Sequence, residues 1–256
     1  MQFSDSFFAR RFGLTEHDLD RYLGEALSAG GDYADLYYEY LVTTSITMDE
    51  SIVKSATQGA TLGVGIRVIA GERTGYAYSD DLSPEKIVKA ARVAAMIASG
   101  PSKMVKTGFE EGGAARDLYP VLTAPTDAPL AERVELVKRA DRAARAEDAR
   151  VFLVQATYAD NIRHVLVATS DGSLTFDRQP LARMGVTVFA RKGDGVPQSA
   201  HSGGGGRVGL DFFNEKTPEY FAKEAVRQAI VQLDAVEAPA GEMTVVLGSG
   251  WPGILL

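Results

Sequence analysis

Four consecutive glycines, Gly203, Gly204, Gly205 and Gly206, stand between Ser202 and Arg207. They are the least ordinary stretch of the chain, because each glycine costs backbone entropy and packs no side chain. Such a run is either the flexible exit of a hairpin or a mobile loop whose amides come close to a peptide or a partner, with Arg207 placed to hold a carboxylate. Ser202, Gly203, Gly204, Gly205, Gly206 and Arg207 are therefore the candidate peptide- or partner-contact residues. A second glycine pattern, Gly248-Ser249-Gly250-Trp251-Pro252-Gly253, matches G-x-G-x-x-G letter for letter and follows a β-type run. A dinucleotide site also needs the rest of a βαβ unit and an acid about 20 positions on, and the sequence supplies neither. Trp-Pro also fits poorly between glycines that must approach a pyrophosphate.

The only histidines, His17, His164 and His201, lack the i, i+3 or i, i+4 neighbour that presents two metal ligands from one helix. Asp49-Glu50, Asp80-Asp81 and Glu110-Glu111 fall in turn or connector sequence and read as solvated acids rather than an acid–base pair. With no cysteine, disulfides, thiolate metal sites and a cysteine nucleophile are all excluded. No catalytic or metal-binding residue is assigned in this chain. A net charge of −7 argues against nucleic acid or an anionic membrane as the main partner. The N-terminus has no apolar stretch of signal-peptide length, and no run of about 18 apolar residues occurs, so a cytoplasmic protein is expected.

The elements that must position these residues follow from periodicity and punctuation. Thr15, with Asp18 placed to return a capping contact, opens a helix over about 15–29 with Leu19, Tyr22, Leu23, Ala26 and Leu27 on its apolar side. Four β-type runs follow, 35–47, 51–55, 60–70 and 74–79, separated by Asp-Glu, Gln-Gly and Gly-Glu-Arg turns. Ser83-Pro84-Glu85 then starts a helix running to about residue 99. After a polar connector, 100–126, the pattern begins again. A helix carries Leu130, Val134, Val137, Ala140 and Ala144; β-type runs cover 151–158, 163–169, 173–176, 182–190 and 197–201; and Thr217-Pro218-Glu219 opens a helix buried along Phe221, Ala225, Ala229 and Leu233.

The expected fold class is α+β: two helix–antiparallel meander–helix units, about 1–99 and 127–237, with helices on one face. They form an N-terminal domain, 1–237, with a possible internal duplication. Residues 238–256 read as the start of a truncated C-terminal domain, whose first strand is 243–247 and whose next helix is cut short after Ile254-Leu255-Leu256.

Several blocks carry a family resemblance: Asp32-Tyr33-Ala34-Asp35-Leu36-Tyr37, Gly63-Val64-Gly65-Ile66-Arg67, Gly71-Glu72-Arg73-Thr74-Gly75-Tyr76-Ala77-Tyr78, the stretch from Ser202 to Arg207, Ala238-Pro239-Ala240-Gly241, and the run from Val245 to Leu256. In order and spacing the chain resembles the TldD branch of the TldD/PmbA zinc metallopeptidases. The resemblance implies a cytosolic peptidase that degrades unfolded peptides or matures peptide antibiotics, working with a PmbA-type homologous subunit. It also implies that zinc is held by a His-Glu-x-x-x-His motif following the last residues here, so zinc belongs to the full-length parent and no cofactor is expected in this chain. Three readings stand at this point: the N-terminal portion of such a peptidase, inactive alone; a non-catalytic peptide-binding or assembly module; and a nucleotide-binding domain.

Overall fold

A computed structural model describes residues 3–99, 109–111, 120–250 and 252–255. The elements run α1 (Phe7–Phe12), α2 (Glu16–Ala26), β1 (Tyr33–Asp49), β2 (Ile52–Ala70), β3 (Arg73–Ser79), α3 (Pro84–Ala98), β4 (Glu110–Glu111), α4 (Leu130–Glu147), β5 (Val151–Thr169), β6 (Ser173–Ala190), β7 (Gln198–Gly206), α5 (Phe212–Glu215), α6 (Pro218–Gln232) and α7 (Pro252–Leu255). The order helix, three strands, helix occurs twice.

The helix starts match their sequence signals. Thr15 and Asp18 form a reciprocal capping box at α2, and the Thr217 hydroxyl accepts the Tyr220 N–H at α6. Helix α1 has no counterpart in the sequence reading. Ser6 caps its start and Gly13, at φ +68°, closes its end.

The strands depart from expectation in length and in grouping. The β-type runs 51–55 and 60–70 form one strand, β2, with Gly59 opposite Thr43 rather than in a turn. Runs 151–158 and 163–169 fuse into β5, and runs 173–176 and 182–190 into β6. The reversals that remain have left-handed residues to make them: Glu50 and Ser51 between β1 and β2, Gly71 between β2 and β3, and Gly172 between β5 and β6. The two meanders are not separate sheets. β1 pairs antiparallel with β5 from Asp35↔Thr169 to Asp49↔Gln155, giving one sheet in the order β3-β2-β1-β5-β6, with β7 and the short β4 both beside β6. Only the β4–β6 pair is parallel among the described strands.

Side-chain alternation places the helices on one face. Leu36, Tyr38, Ile46 and Met48 of β1 share parity and are buried, the first pair under α2 and α3, the second under α4 and α6. The first core gathers Leu19, Tyr22, Leu23, Ile66, Val68, Ile87, Ala91 and Ala94; the second gathers Val137, Ala140, Tyr158, Met184, Val186, Phe221 and Ala225. Full burial of each large aliphatic or aromatic side chain contributes roughly 1.5–3 kcal/mol. α3 is alanine-rich for a steric reason: a Cβ on Gly75 of β3 would run into the Ala94 carbonyl, so helix and strand meet backbone to backbone.

A buried polar cluster sits within the second core. Arg133 of α4, 3% exposed, donates to Thr44 Oγ1 (2.7 Å) and to both carboxylate oxygens of Asp160 (2.9 and 3.2 Å), and the Tyr158 hydroxyl donates to Asp160 Oδ2 at 2.8 Å. The Arg133 Nε finds no hydrogen-bond partner. Removing one member of a buried ion pair strands the other charge, whereas replacing both with apolar groups does not. Arg133→Ala should therefore lower unfolding stability by about 3 kcal/mol or more. Arg133→Met combined with Asp160→Leu should recover most of that loss, as read by urea denaturation.

Candidate peptide-contact strand

The glycine run is a strand, not a loop. Ser202, Gly203, Gly204, Gly205 and Gly206 form the second half of β7, paired with β6 through Val186↔Ser202, Gly185↔Gly203, Met184↔Gly204, Arg183↔Gly205 and Ala182↔Gly206. Glycine has low strand propensity, and here packing overrides it. A Cβ on Gly204 would lie 2.8 Å from Cζ of Phe221 on α6, and one on Gly205, at φ +153°, would collide with the Ala182 carbonyl. One on Gly203 would meet the Met184 carbonyl, whereas nothing lies within 4 Å of one on Gly206. β7 has β6 on one side and no described strand on the other, so from Gly203 to Gly206 the run is an edge that carries no side chains of its own.

Beyond the strand, the Gly206 carbonyl accepts the Val208 N–H (3.0 Å), turning the chain toward α5. Arg207 is exposed on the wall of a cleft of about 730 Å³, together with Asp127, Glu132, Asp211 and Glu215 and with apolar Val121, Leu122 and Phe212. The end of the glycine edge thus opens into a cleft with more carboxylates than cations.

Three of the other blocks quoted for the resemblance, 32–37, 63–67 and 71–78, meet at the opposite end of the sheet. Asp32 Oδ2 accepts the Gly71 N–H (2.8 Å), Arg67 Nε donates to Asp35 Oδ2 (2.7 Å), and the Tyr76 ring lies across Gly65, where a Cβ would sit 2.7 Å from its hydroxyl. On the helix-free face beside them, Tyr37 donates to Glu39 Oε2 (2.7 Å), and burial with that carboxylate pushes its hydroxyl up to about 12.

The three histidines do not assemble. His17 is exposed on α2. His164 faces the helices, stacked on Phe7 of α1 at 3.8 Å and 7°. His201 lies on the opposite face over Gly185, with its Nδ1 3.1 Å from Thr187 Oγ1. Among the described residues no group of three His, Cys, Asp or Glu side chains is placed to hold a metal ion, so the described residues do not fit a zinc site. Burial, chiefly, with Arg178 and Arg11 nearby, depresses the His164 imidazole to about 4, against a smaller opposing pull from Asp127.

Sequence reasoning missed two features that organise this side of the sheet: the α1 cap over His164, and the buried Arg133. The second left a trace, since Arg133, Val137, Ala140, Asp141 and Ala144 share the buried stripe of α4, while Leu130, expected inside, is exposed.

The expected strand over 243–247 does not form. Met243, Val245, Val246 and Leu247 are exposed, with no described strand beside them to accept their backbone hydrogen bonds. The glycine pattern after it therefore lacks the strand–turn–helix setting of a dinucleotide site. Trp251 falls outside the described residues.

A single, mainly antiparallel sheet carrying two helix pairs on one face defines a class of α+β scaffold that recurs in solved structures. A protein from Bacteroides thetaiotaomicron described as a putative modulator of DNA gyrase superposes with a TM-score of 0.70 at 14% identity, over 87% of this chain and 51% of that one. TldE from Thermococcus kodakarensis gives 0.66 at 20% identity, over 83% and 47%. The PmbA/TldA metallopeptidase domain 1 matches residues 34–98, and the central domain of the same family matches 123–233. The chain belongs to the PmbA/TldD metallopeptidase family. It is 39% identical over 236 residues to a metalloprotease TldD homolog of Haemophilus influenzae, covering 88% of this chain and 48% of that protein. It is 32% identical to one of Buchnera aphidicola, covering 95% and 51%. The chain spans about half the length of the curated relatives it matches.

The geometry separates the glycines by role. Gly205→Ala, with a carbonyl in the way and a left-handed backbone, should destabilise the fold by about 2 kcal/mol or more. Gly206→Ala should change stability by less than about 0.5 kcal/mol, as read by thermal and urea unfolding. His164 carries a pH signature. Its folded value lies below the ordinary 6.5, so its contribution is complete above pH 6.5 and is lost as pH falls toward 4. The difference in stability between the parent and His164→Phe should shift by roughly 2–3 kcal/mol across that window, measured by denaturation at pH 7 and pH 4.

Proposed function

We propose that this chain is the N-terminal half of a TldD-type zinc peptidase that acts on unfolded peptides in the cytoplasm beside a PmbA-type subunit. In this reading the open edge of β7 is where an extended chain, peptide or partner, is held. The observation that carries it is the coincidence of a glycine-built sheet edge with domains 1 and central of a metallopeptidase family. An edge without side chains offers mainly its amides and carbonyls. Strand addition of that kind recognises a peptide by its backbone and reads little of its sequence, which suits unfolded peptides of varied composition. Arg207 and the carboxylates of the adjoining cleft stand where the end of such a peptide would arrive.

Catalysis is assigned elsewhere. With no fitting ligand set among the described residues, no step of zinc chemistry is routed through them. The zinc ligands and the glutamate base belong, on this reading, to the half that follows. Met243, Val245, Val246, Leu247 and Ile254, exposed and apolar, are the natural place for that half to pack. A non-catalytic peptide-binding module would use the same edge and differs only in lacking that continuation.

The test has two arms. An unstructured peptide added to this chain should slow amide exchange at residues 202–206, and N-methylation of alternate amides on one edge of the peptide should abolish the effect. Equal protection by the methylated peptide, or none by either, would remove the strand-addition reading. In the second arm, the 256-residue chain should take up less than one equivalent of zinc and cleave no peptide, while a chain extended through the C-terminal half, with its partner subunit, does both. Metal-dependent cleavage by the short chain, lost on changing His164 or His201, would overturn the division of labour.

A further inference from the structure

On the helix-free face of the first half, tyrosines stand around a floor of glycine. Leu36, Tyr38, Val64, Ile66 and Ala77 pack toward the helices, so by alternation Tyr37, Gly63, Gly65, Tyr76 and Tyr78 belong to the other face. In one cross-strand row Gly65 has Tyr37 of β1 on one side and Tyr78 of β3 on the other. The Tyr76 ring lies over that glycine. In the next row Gly63 has Glu39 opposite it on β1, and Asp80 beside it on the other side, with its Cα 4.0 Å from where a Cβ would stand. The result is a groove of about 300 Å³ whose lining holds three tyrosines, two carboxylates and no cation.

The second half of the sheet shows which part of this arrangement belongs to the fold. Gly185 of β6 lies under the His201 ring as Gly65 lies under Tyr76, and each ring's strand partner, Thr187 or Arg67, is two residues beyond the glycine. A ring laid on a glycine is thus common to both halves. The flanks are not. Thr157 and Gly203 pair with Gly185 where Tyr37 and Tyr78 pair with Gly65, and Arg183 stands between Ala159 and Gly205 where Gly63 stands between Glu39 and Asp80. Tyr76 and Tyr78 are 58% and 75% exposed, so packing within the described chain does not account for them.

The chemistry of the groove selects a cation. Elsewhere the chain covers its outer rings with cations of its own: Arg11 lies over Phe7, Phe12 and Tyr40, Arg191 over Phe152, and Lys216 over Tyr220. No described cation lies over Tyr37, Tyr76 or Tyr78. Arg67 and Arg163, on the same face, are held by Asp35 (2.7 Å) and Glu39 (3.3 Å), while Asp80 has no ion-pair partner among the described residues. An aromatic face attracts a cation through its quadrupole, and a planar guanidinium can stack on a ring while it donates to a carboxylate. The groove is open, so it takes one side chain and leaves the rest of its owner outside. We infer that Tyr37, Tyr76 and Tyr78, with Asp80 and Glu39 as counter-charge, bind the guanidinium of an arginine side chain presented by a peptide. The groove is at the β3 side of the sheet, away from β7, so this site and the β7 edge can be tested separately.

The test titrates a short glycine-rich peptide carrying one arginine into the 256-residue chain, read by calorimetry and by the tyrosine ring resonances. Binding should be saturable and should shift Tyr76 and Tyr78. Citrulline in place of the arginine keeps the shape and removes the charge, and should weaken binding by about tenfold or more. Tyr78→Ala should weaken it by about two- to fivefold, the worth of one exposed cation–π contact, and Tyr78→Phe by less. Asp80→Asn should weaken it and flatten its dependence on salt. Both side chains are exposed, so these variants should keep the parent's thermal midpoint, and Tyr220→Ala on α6 should leave binding unchanged. Absence of binding would overturn the inference, as would equal affinity for the citrulline peptide or indifference to both Tyr78→Ala and Asp80→Asn. Free arginine amide bound as tightly as the peptide would assign the groove to a small cation and overturn the peptide as its occupant.

Discussion

The antiparallel pairing of β1 with β5 is the constraint on which the rest of the structure depends. It joins residues more than a hundred positions apart, from Asp35↔Thr169 to Asp49↔Gln155, and turns two three-strand units into one sheet. Because strand side chains alternate, a shift of one residue in this register would turn one half's core face to solvent while the other stayed buried. The seam is fastened from the helix side. Tyr40 and His164 sit opposite each other across it, and Phe7 of α1 covers both, stacked on the imidazole and 5.2 Å from the tyrosine ring. Farther along the same seam, Thr44 and Asp160 are opposed, and Arg133 reaches down from α4 to bond both. One end of the joint is held by aromatic stacking and the other by a buried ion pair. A neutral His164 serves the first and a charged Arg133 the second.

What could be read from the chain beforehand divides along the range of the interactions involved. Helices α2, α3 and α6 were legible because their starts are written locally, in Thr15 with Asp18, Ser83 with Pro84, and Thr217 with Pro218. Helix α1 also had a cap at Ser6 and a left-handed glycine at Gly13, but its six residues are too few to show a periodic face. What holds it is the seam it covers, which no local pattern discloses. The length of β2 was hidden for the opposite reason. Alternation reveals a strand only where one face is buried, and from Lys54 to Thr61 both faces are exposed, so Gln58-Gly59 looked like a turn. The strand expected over 243–247 had the right composition and lacked only a neighbour, which composition cannot supply.

The family resemblance was legible where the candidate site was legible only in part. The blocks around Asp35, Arg67 and Tyr76 are separate in sequence, yet the sheet sets them side by side, so their common appearance reflects one structural unit. Ser202 to Arg207 was correctly marked as a stretch that needs explaining and wrongly given the form of a loop. The error lay in taking glycine as a sign of freedom. In β7 it is a sign of proximity, with the Phe221 ring on one side and the β6 backbone on the other.

That distinction bears on function more closely than the strand assignment does. Glycine in a strand interior is roughly 0.5–1 kcal/mol less favourable than alanine, so a run of four needs a cause at each position. Three have one within the chain: Gly203 and Gly205 lie against β6 main chain, and Gly204 lies under Phe221. Gly206 does not, because nothing described comes within 4 Å of the place its side chain would occupy, and its backbone carries no left-handed strain. The described part of the chain therefore accounts for Gly203, Gly204 and Gly205 and leaves Gly206 unexplained. On the proposed reading the missing neighbour is external. A chain laid along the edge toward the cleft at Arg207 would pass Gly206 last, at the point where the strand turns away and a side chain would stand in its path.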